Sequence, residues 1–168
     1  MAVPYPVAER LAEPTADDAL GLVLQSWVLL GMLDRAIALT AEYVKERHQF
    51  GQPLAAFQSV QFQLTDAEVE RAGLEELAKY ALWSVETGRP EALDDALAAR
   101  LAALDAAEVV FRITHQLHGA IGFCDETTLS WVSRRSQALR RQPLNPAATR
   151  DALVRRIDGH GLTGLFGG

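Results

Sequence analysis

Proline and glycine cut this chain into long uninterrupted stretches, and that spacing limits the fold more than any other feature of the sequence. After Pro14 the next prolines are Pro53, Pro90, Pro143 and Pro146, and glycines stand beside the breaks at Gly51, Gly88, Gly119 and Gly122. Proline removes a backbone donor and fixes φ, so the stretches between these breaks are the ones free to form long helices. Strands of such length are rare, and no run alternates apolar and polar residues long enough to predict one. Alanine and leucine dominate while β-branched residues are thin, which favours helix again.

The spacing predicts helices over about 16–48, 55–86 and 90–120, then shorter ones over about 126–139 and 147–157. Thr15 is the expected N-cap of the first, with Asp18 three residues on. Gly51 and Pro53 end that helix. Pro90 suits the first turn of the third, whose apolar stripe is Leu93, Leu97, Leu101, Leu104, Val109 and Ile113. Asn145 is the expected cap of the last. Residues 1–14, with Pro4, Pro6 and Pro14, read as an arm or linker. Residues 15–158 read as one helical domain, and 159–168 as a loose glycine-rich tail in which Leu162, Leu165 and Phe166 are the docking candidates. Three long and two short helices on short turns imply an all-α, antiparallel bundle of the four-helix-bundle type.

The first helix has a special burden. Over 19–33 it reads ALGLVLQSWVLLGML, apolar nearly all round, which predicts burial on more than one side. It is too apolar for a solitary bundle, so it is expected to pack against another subunit or a further domain. Gln25 and Ser26 interrupt the segment, and it falls short of the ~20 apolar residues of a bilayer span. A core helix, not a membrane span, is the expectation.

The chain has 168 residues, 49% hydrophobic, with a formal net charge of -6. That balance fits a globular domain and supplies no field that would draw it to nucleic acid. A single cysteine, Cys124, excludes an internal disulfide, and the start MAVPYPVAER has no basic stretch followed by an apolar run, so a cytoplasmic location is expected. Cys124 has no visible general base and reads as an incidental thiol. Trp27, Trp83 and Trp131 read as core or interface anchors.

Two stretches carry chemistry. In Glu46-Arg47-His48-Gln49-Phe50-Gly51-Gln52-Pro53, the residues alone allow a helix end with a cationic last turn and a glycine stop. They also allow Arg47 to reach an anion, since its planar fork suits phosphate oxygens. In His115-Gln116-Leu117-His118-Gly119-Ala120-Ile121-Gly122-Phe123, a second glycine-terminated helix is visible. His115 and His118 are three apart, but no carboxylate or cysteine completes a ligand set at usual spacing, so no metal is expected.

Tyr43, Lys45, Arg47, Gln49, Phe50, Gly51, Pro53, Leu54, Phe57, Gln58, Val60, Gln61, Phe62, Leu64 and Asp66 together resemble the start of the C-terminal helical domain of the acyl-CoA dehydrogenases. The resemblance extends over about 19–158. It implies an FAD shared with a neighbouring subunit and contacted by Arg47, Gln49, Phe50, Gln58, Gln116, His118, Gly119 and Ala120. The family stretch reads Gln-x-x-Gly-Gly-x-Gly-aromatic, and Ala120 stands where the second glycine usually is. Its methyl group would crowd a cofactor, or alter the turn if positive φ were needed there. Members carry N-terminal and middle domains absent from the stretch matched here, so this chain alone is not expected to complete an active site.

The resemblance also exposes a loss. The family reaction removes an α-proton with a glutamate in a Glu-Gly-Thr triplet while the flavin takes the β-hydride. Here the triplet reads Leu144-Asn145-Pro146, and leucine accepts no proton. The alternative family position, in the first helix, falls near Gly21. Asp17 and Asp18 look like helix-start residues, and Asp151 is two turns too far. Arg134, Arg135, Arg140 and Arg141 are candidates for CoA phosphates or simply a solvated face. The pattern keeps what serves a neighbour's flavin and lacks the base of its own site. The expectation is therefore a homo- or hetero-oligomer with an acyl-CoA dehydrogenase subunit, acting on an acyl-CoA of fatty acid or sterol catabolism. A non-enzymatic helical assembly module, or a domain cut from an active full-length dehydrogenase, are the alternatives.

Overall fold

The computed structural model describes residues 16–161. The Thr15 cap, the arm over 1–14 and the docking candidates Leu162, Leu165 and Phe166 lie outside the described residues. The elements are α1 (Ala16–Glu46), β1 (His48–Gln49), β2 (Gln52–Pro53), a 3-10 turn (Leu54–Ala56), α2 (Gln58–Glu86), α3 (Ala92–His118), a second 3-10 turn (Gly119–Phe123), α4 (Thr128–Arg141) and α5 (Pro146–His160). The all-α bundle is as expected. α1, α2 and α3 pack against one another, α4 lies mainly on α1, and α5 covers α3.

Local chemistry explains where the helices differ from the expected bounds. α1 stops at Glu46, before 48, because the next residues form a strand pair that period-2 alternation did not announce, with His48 opposite Pro53 and Gln49 opposite Gln52. Pro90 sits in the turn before α3 rather than in its first turn, and Glu91 takes the N-cap place. α4 begins at Thr128, not 126, because the Thr127 side chain accepts from Ser130 N–H and caps it. α5 begins as expected with Asn145 accepting from Ala148 N–H, but it runs to His160, past the 157 expected from sequence and into the segment read as tail.

Two apolar clusters make the core. Leu29 and Leu33 of α1, Leu74 of α2, Val110 and Phe111 of α3, and Leu129 and Val132 of α4 form one. Ala19, Leu22 and Val23 of α1, Leu93 and Leu97 of α3, Leu144 and Ala152 form the other, and Trp27 packs on both. Each fully buried leucine contributes about 1.5–3 kcal/mol of transfer free energy. Buried hydroxyls on α1 are satisfied internally, Ser26 by donating to Leu22 O at 2.9 Å and Thr40 to Ala36 O at 2.8 Å.

α1 corrects one expectation. The whole helix is long and apolar enough to cross a bilayer by length and composition, although the 19–33 segment alone is not. In the structure its buried side is packed into the bundle, while Leu24 and Val28 stay half exposed, at 52% and 50%. The expected stripe of α3 is also modified. Leu93, Leu97, Leu104 and Ile113 are buried, whereas Leu101 and Val109 are only half-buried.

Arg100 is fully buried, which the apolar pattern did not announce. Its Nη2 donates to Leu139 O, to Gln142 O at 3.1 Å and to Leu144 O at 3.3 Å, while Nε and Nη1 have no hydrogen-bond partner among the described residues. Desolvation holds its guanidinium down at about 10. The arginine thus acts as a post for the end of α4 and the loop to α5, where the exposed carbonyls of a helix C-terminus favour a cation.

Candidate functional site

The two motifs singled out by sequence meet at one end of the bundle. Tyr43, one turn before Arg47, stacks on His118 with centroids 4.3 Å apart and planes 16° apart. Tyr43 OH also lies 3.5 Å from His118 O. The C-terminal ends of α1 and α3 are therefore fixed side by side.

Arg47 is anchored by its backbone, N–H to Tyr43 O and C=O from Leu54 N–H, both at 2.8 Å. Its guanidinium is exposed and makes no ion pair among the described residues. The hairpin that follows turns at Phe50 and Gly51, with φ of 53° and 82°. Positive φ at both central residues is what a type I′ hairpin turn requires, because its twist matches the strands. Glycine meets this freely, but phenylalanine in that region is strained by about 1–3 kcal/mol. The strained ring is 91% exposed, touching Phe57 edge-on at 6.3 Å. Gln49 and Gln58 are exposed beside it.

At the end of α3, the three positions of the glycine motif have three different reasons. Gly119 has φ 62° and ψ -145°, a conformation closed to side chains, and it ends the helix. Gly122 is buried; a Cβ there would lie 2.8 Å from His118 Cβ and 3.4 Å from His115 Nδ1. Ala120 is exposed, and among the described residues Phe50 alone of the non-glycines has positive φ, so the turn does not require glycine at 120. Gln116 is exposed on the helix.

His118 faces inward. Its Nδ1 lies 2.9 Å from Thr114 O, to which it donates, and 3.5 Å from Thr40 Oγ1. Burial holds its pKa below the ordinary imidazole value. His115 stacks instead on Phe123, with centroids 4.5 Å apart. Burial and then the neighbouring His118 lower its pKa too. The two imidazoles serve different stacks, so their spacing of three reflects packing.

Grooves lie on both sides of α4. The larger, 630 Å³, runs between α3 and α4 and includes Glu108, Arg112, His115, Gln116, Gly119 and Arg140 in its lining. The four α3 residues among them, Glu108, Arg112, His115 and Gln116, fall on one helix face by their spacing, a signal present in the sequence. The smaller, 300 Å³, lies between α1 and α4 and touches Tyr43, Glu46 and His118.

The position that the resemblance assigns to the base is occupied by packing. Leu144 is buried, 6% exposed, among Ala19, Leu22, Leu93 and Leu97, and its carbonyl is held by Arg100 and by Thr149 Oγ1 at 3.4 Å. Gly21 and Asp151 are exposed elsewhere. The arginines of α4 mostly have local partners. Arg134 pairs with Asp125, Arg135 lies 5.4 Å over the Trp131 ring, and Arg140 is 3.6 Å from Glu108. Cys124 is exposed, its Sγ 3.6 Å from Ala120 O.

With this geometry in view, comparison with known proteins identifies the class. A family model described as the acyl-CoA dehydrogenase C-terminal domain matches residues 22–142. The short-chain specific acyl-CoA dehydrogenase of Megasphaera elsdenii is 33% identical over 121 residues, covering 70% of this chain and 30% of that protein. The butyryl-CoA dehydrogenase structure from the same organism superposes with a TM-score of 0.77 at 26% identity, covering 82% of this chain and 36% of that one. A variant of the steroid acyl-CoA dehydrogenase Tcur3481-Tcur3483 gives 0.75 at 30% identity, covering 84% and 39%. The chain belongs to the acyl-CoA dehydrogenase family through that family's C-terminal helical domain. It spans well under half the length of these relatives.

Proposed function

We propose that this chain completes the flavin site of a partner acyl-CoA dehydrogenase subunit and supplies no catalytic base of its own. The observation that carries the reading is the contrast between two ends of the bundle. At one end Arg47 is exposed with no ion pair among the described residues, the Phe50 ring is held out on a strained hairpin, and the Tyr43–His118 stack brings the end of α3, with exposed Gln116 and Gly119, to the same end of the bundle. At the α4–α5 loop the base position is a leucine sealed in the core.

The residues at the first end fit an FAD. Arg47 matches a diphosphate in charge and fork geometry, Gln49, Gln58 and Gln116 offer amide donors and acceptors, and the open backbone at Gly119 permits close approach. When bound, the flavin supplies the redox chemistry; this chain supplies grip and orientation. Ala120 adds one exposed methyl group and no turn strain, so it leaves the clasp intact. His118 acts from behind, by fixing the α1 and α3 ends to each other. The half-exposed Leu24 and Val28 on α1 support cover by a further domain or subunit. The likeness to the Tcur3481-Tcur3483 steroid enzyme supports a two-component assembly and a sterol-type acyl-CoA as its substrate.

The test is FAD binding by the purified chain, followed by quenching of flavin fluorescence. Saturable quenching that Arg47→Ala abolishes is the expected result. Equal quenching by wild type and Arg47→Ala, or none in either, removes the clasp and leaves the chain as an assembly module.

A further inference from the structure

Glu42 and Glu46 take no part in the clasp. Both are exposed on α1, and neither has an ion pair among the described residues. Their placement is locally unfavourable twice over. Like charges four apart on a helix repel, and carboxylates near a helix C-terminus meet its negative pole; α1 ends at Glu46. Both line the smaller groove, a 300 Å³ pocket whose other walls include Leu39, Ile121, Leu129 and the Tyr43–His118 stack. Burial holds His118 below the ordinary imidazole value, so the ring adds no charge at neutral pH. The N-terminus of α4 closes the pocket with Thr127 and Thr128. It brings about half a positive charge against two full negative ones, so the pocket stays negative. Its size is at the low end of the ~300–1,000 Å³ of small-molecule sites, room for one long side chain and too little for a nucleotide.

We propose that this pocket receives an arginine side chain of the partner subunit, its guanidinium held by Glu42 and Glu46 and its methylenes laid on Leu39 and Ile121. The proposal rests on the flavin-site reading for what the partner is, and adds a second point of attachment to it. A planar fork takes two carboxylates at once and lies well beside aromatic rings, which a compact ammonium does less well. Ile121, half exposed, supplies an apolar rim for the stem of such a side chain. The pocket is continuous with the clasp along the chain, since Glu46 precedes Arg47 and His118 precedes Gly119. A subunit that presents its flavin to the clasp therefore brings the same surface to the pocket. Charge pairs of this kind fix register and exclude wrong partners more than they add affinity.

The experiment is titration of the isotope-labelled full chain with N-acetyl-arginine methylamide, followed by backbone amide chemical shifts, with the citrulline analogue as the uncharged control. The arginine probe shifts the amides of Glu42, Glu46 and Ile121, and the citrulline probe does not. Glu42→Gln and Glu46→Gln each weaken the arginine probe about threefold, the scale of one exposed charge pair. Each also raises the midpoint of thermal unfolding by about 1–2 °C, because a carboxylate opposed by its own helix is gone. A glutamate kept only for the stability of the bundle would lower that midpoint. No localised shift, equal shifts from the citrulline probe, or binding indifferent to both substitutions overturns the proposal. So does tighter binding of free arginine than of the blocked probe, which makes the pocket a metabolite site. Arginine-probe binding without FAD quenching leaves the pocket and sinks the clasp, whereas FAD quenching that needs Arg47 without arginine-probe binding sinks the pocket and leaves the clasp.

Discussion

Replacing Gly122 by alanine tests whether the glycine motif is a matter of space or of cofactor contact. The added Cβ would stand 2.8 Å from His118 Cβ, far inside carbon–carbon contact distance, and 3.4 Å from His115 Nδ1. His118 Cβ cannot swing aside, because it is the root of a side chain pinned by Thr114 and Tyr43. The end of α3 or the 3-10 turn must move instead, an overpacking cost of about 1–3 kcal/mol. Gly119→Ala should cost a similar ~1–3 kcal/mol for another reason, since nothing lies within 4 Å of its missing Cβ but φ is 62°. Ala120→Gly, exposed and at ordinary φ, should change stability by no more than about 1 kcal/mol. Urea unfolding followed by far-UV circular dichroism measures all three. If Gly122→Ala stays within about 0.5 kcal/mol of wild type, or Ala120→Gly costs more than it, the steric account of the motif is wrong.

Arg100→Ala should destabilise by about 2–4 kcal/mol in the same assay, since the carbonyls of Leu139, Gln142 and Leu144 lose their donor and a cavity opens. Leu144→Glu should give no acyl-CoA-dependent dye reduction. It should also lose stability more at pH 8 than at pH 5, because a carboxyl in that apolar setting titrates high and its ionised form is the costly one. Asp95 is raised by desolvation despite the 2.6 Å hydrogen bond from Ser84 Oγ. A folded-state pKa above the unfolded one means stability is lost as pH rises through the folded value. Asp95→Asn should therefore gain stability relative to wild type at pH 7, with the gain shrinking as pH falls toward 3.8, as unfolding curves at both pH values will show.

The bundle was legible because helix termini are written in proline, glycine and capping residues. Asn145 before Pro146 marked the start of α5, and Gly119 the end of α3, within two residues. The hairpin was not legible, because strands of two residues carry no alternation, and an aromatic at positive φ is opposed by every local preference. Phe50 could be read as a family match but not as a strained, outward ring. Arg100 was missed for a different reason. Its neighbours along α3 are alanine and leucine, so the helix pattern is apolar whether or not the arginine turns inward, and only the carbonyls at the end of α4 decide it. Of the candidate site, the residues were visible and their division of labour was not. Helical spacing alone does not tell that His118 holds the bundle together while Gln116 faces out, since that depends on where Tyr43 lies across the bundle.

Leu144 has a consequence for the substitutions open to this chain. Its side chain belongs to the inner apolar cluster, and its carbonyl is tied to the Arg100 post. A glutamate placed here by a single substitution strips the core of a leucine before any carboxylate is aimed at a substrate. Folding itself therefore opposes the change, and under the reading proposed above this position resists taking on a base one substitution at a time.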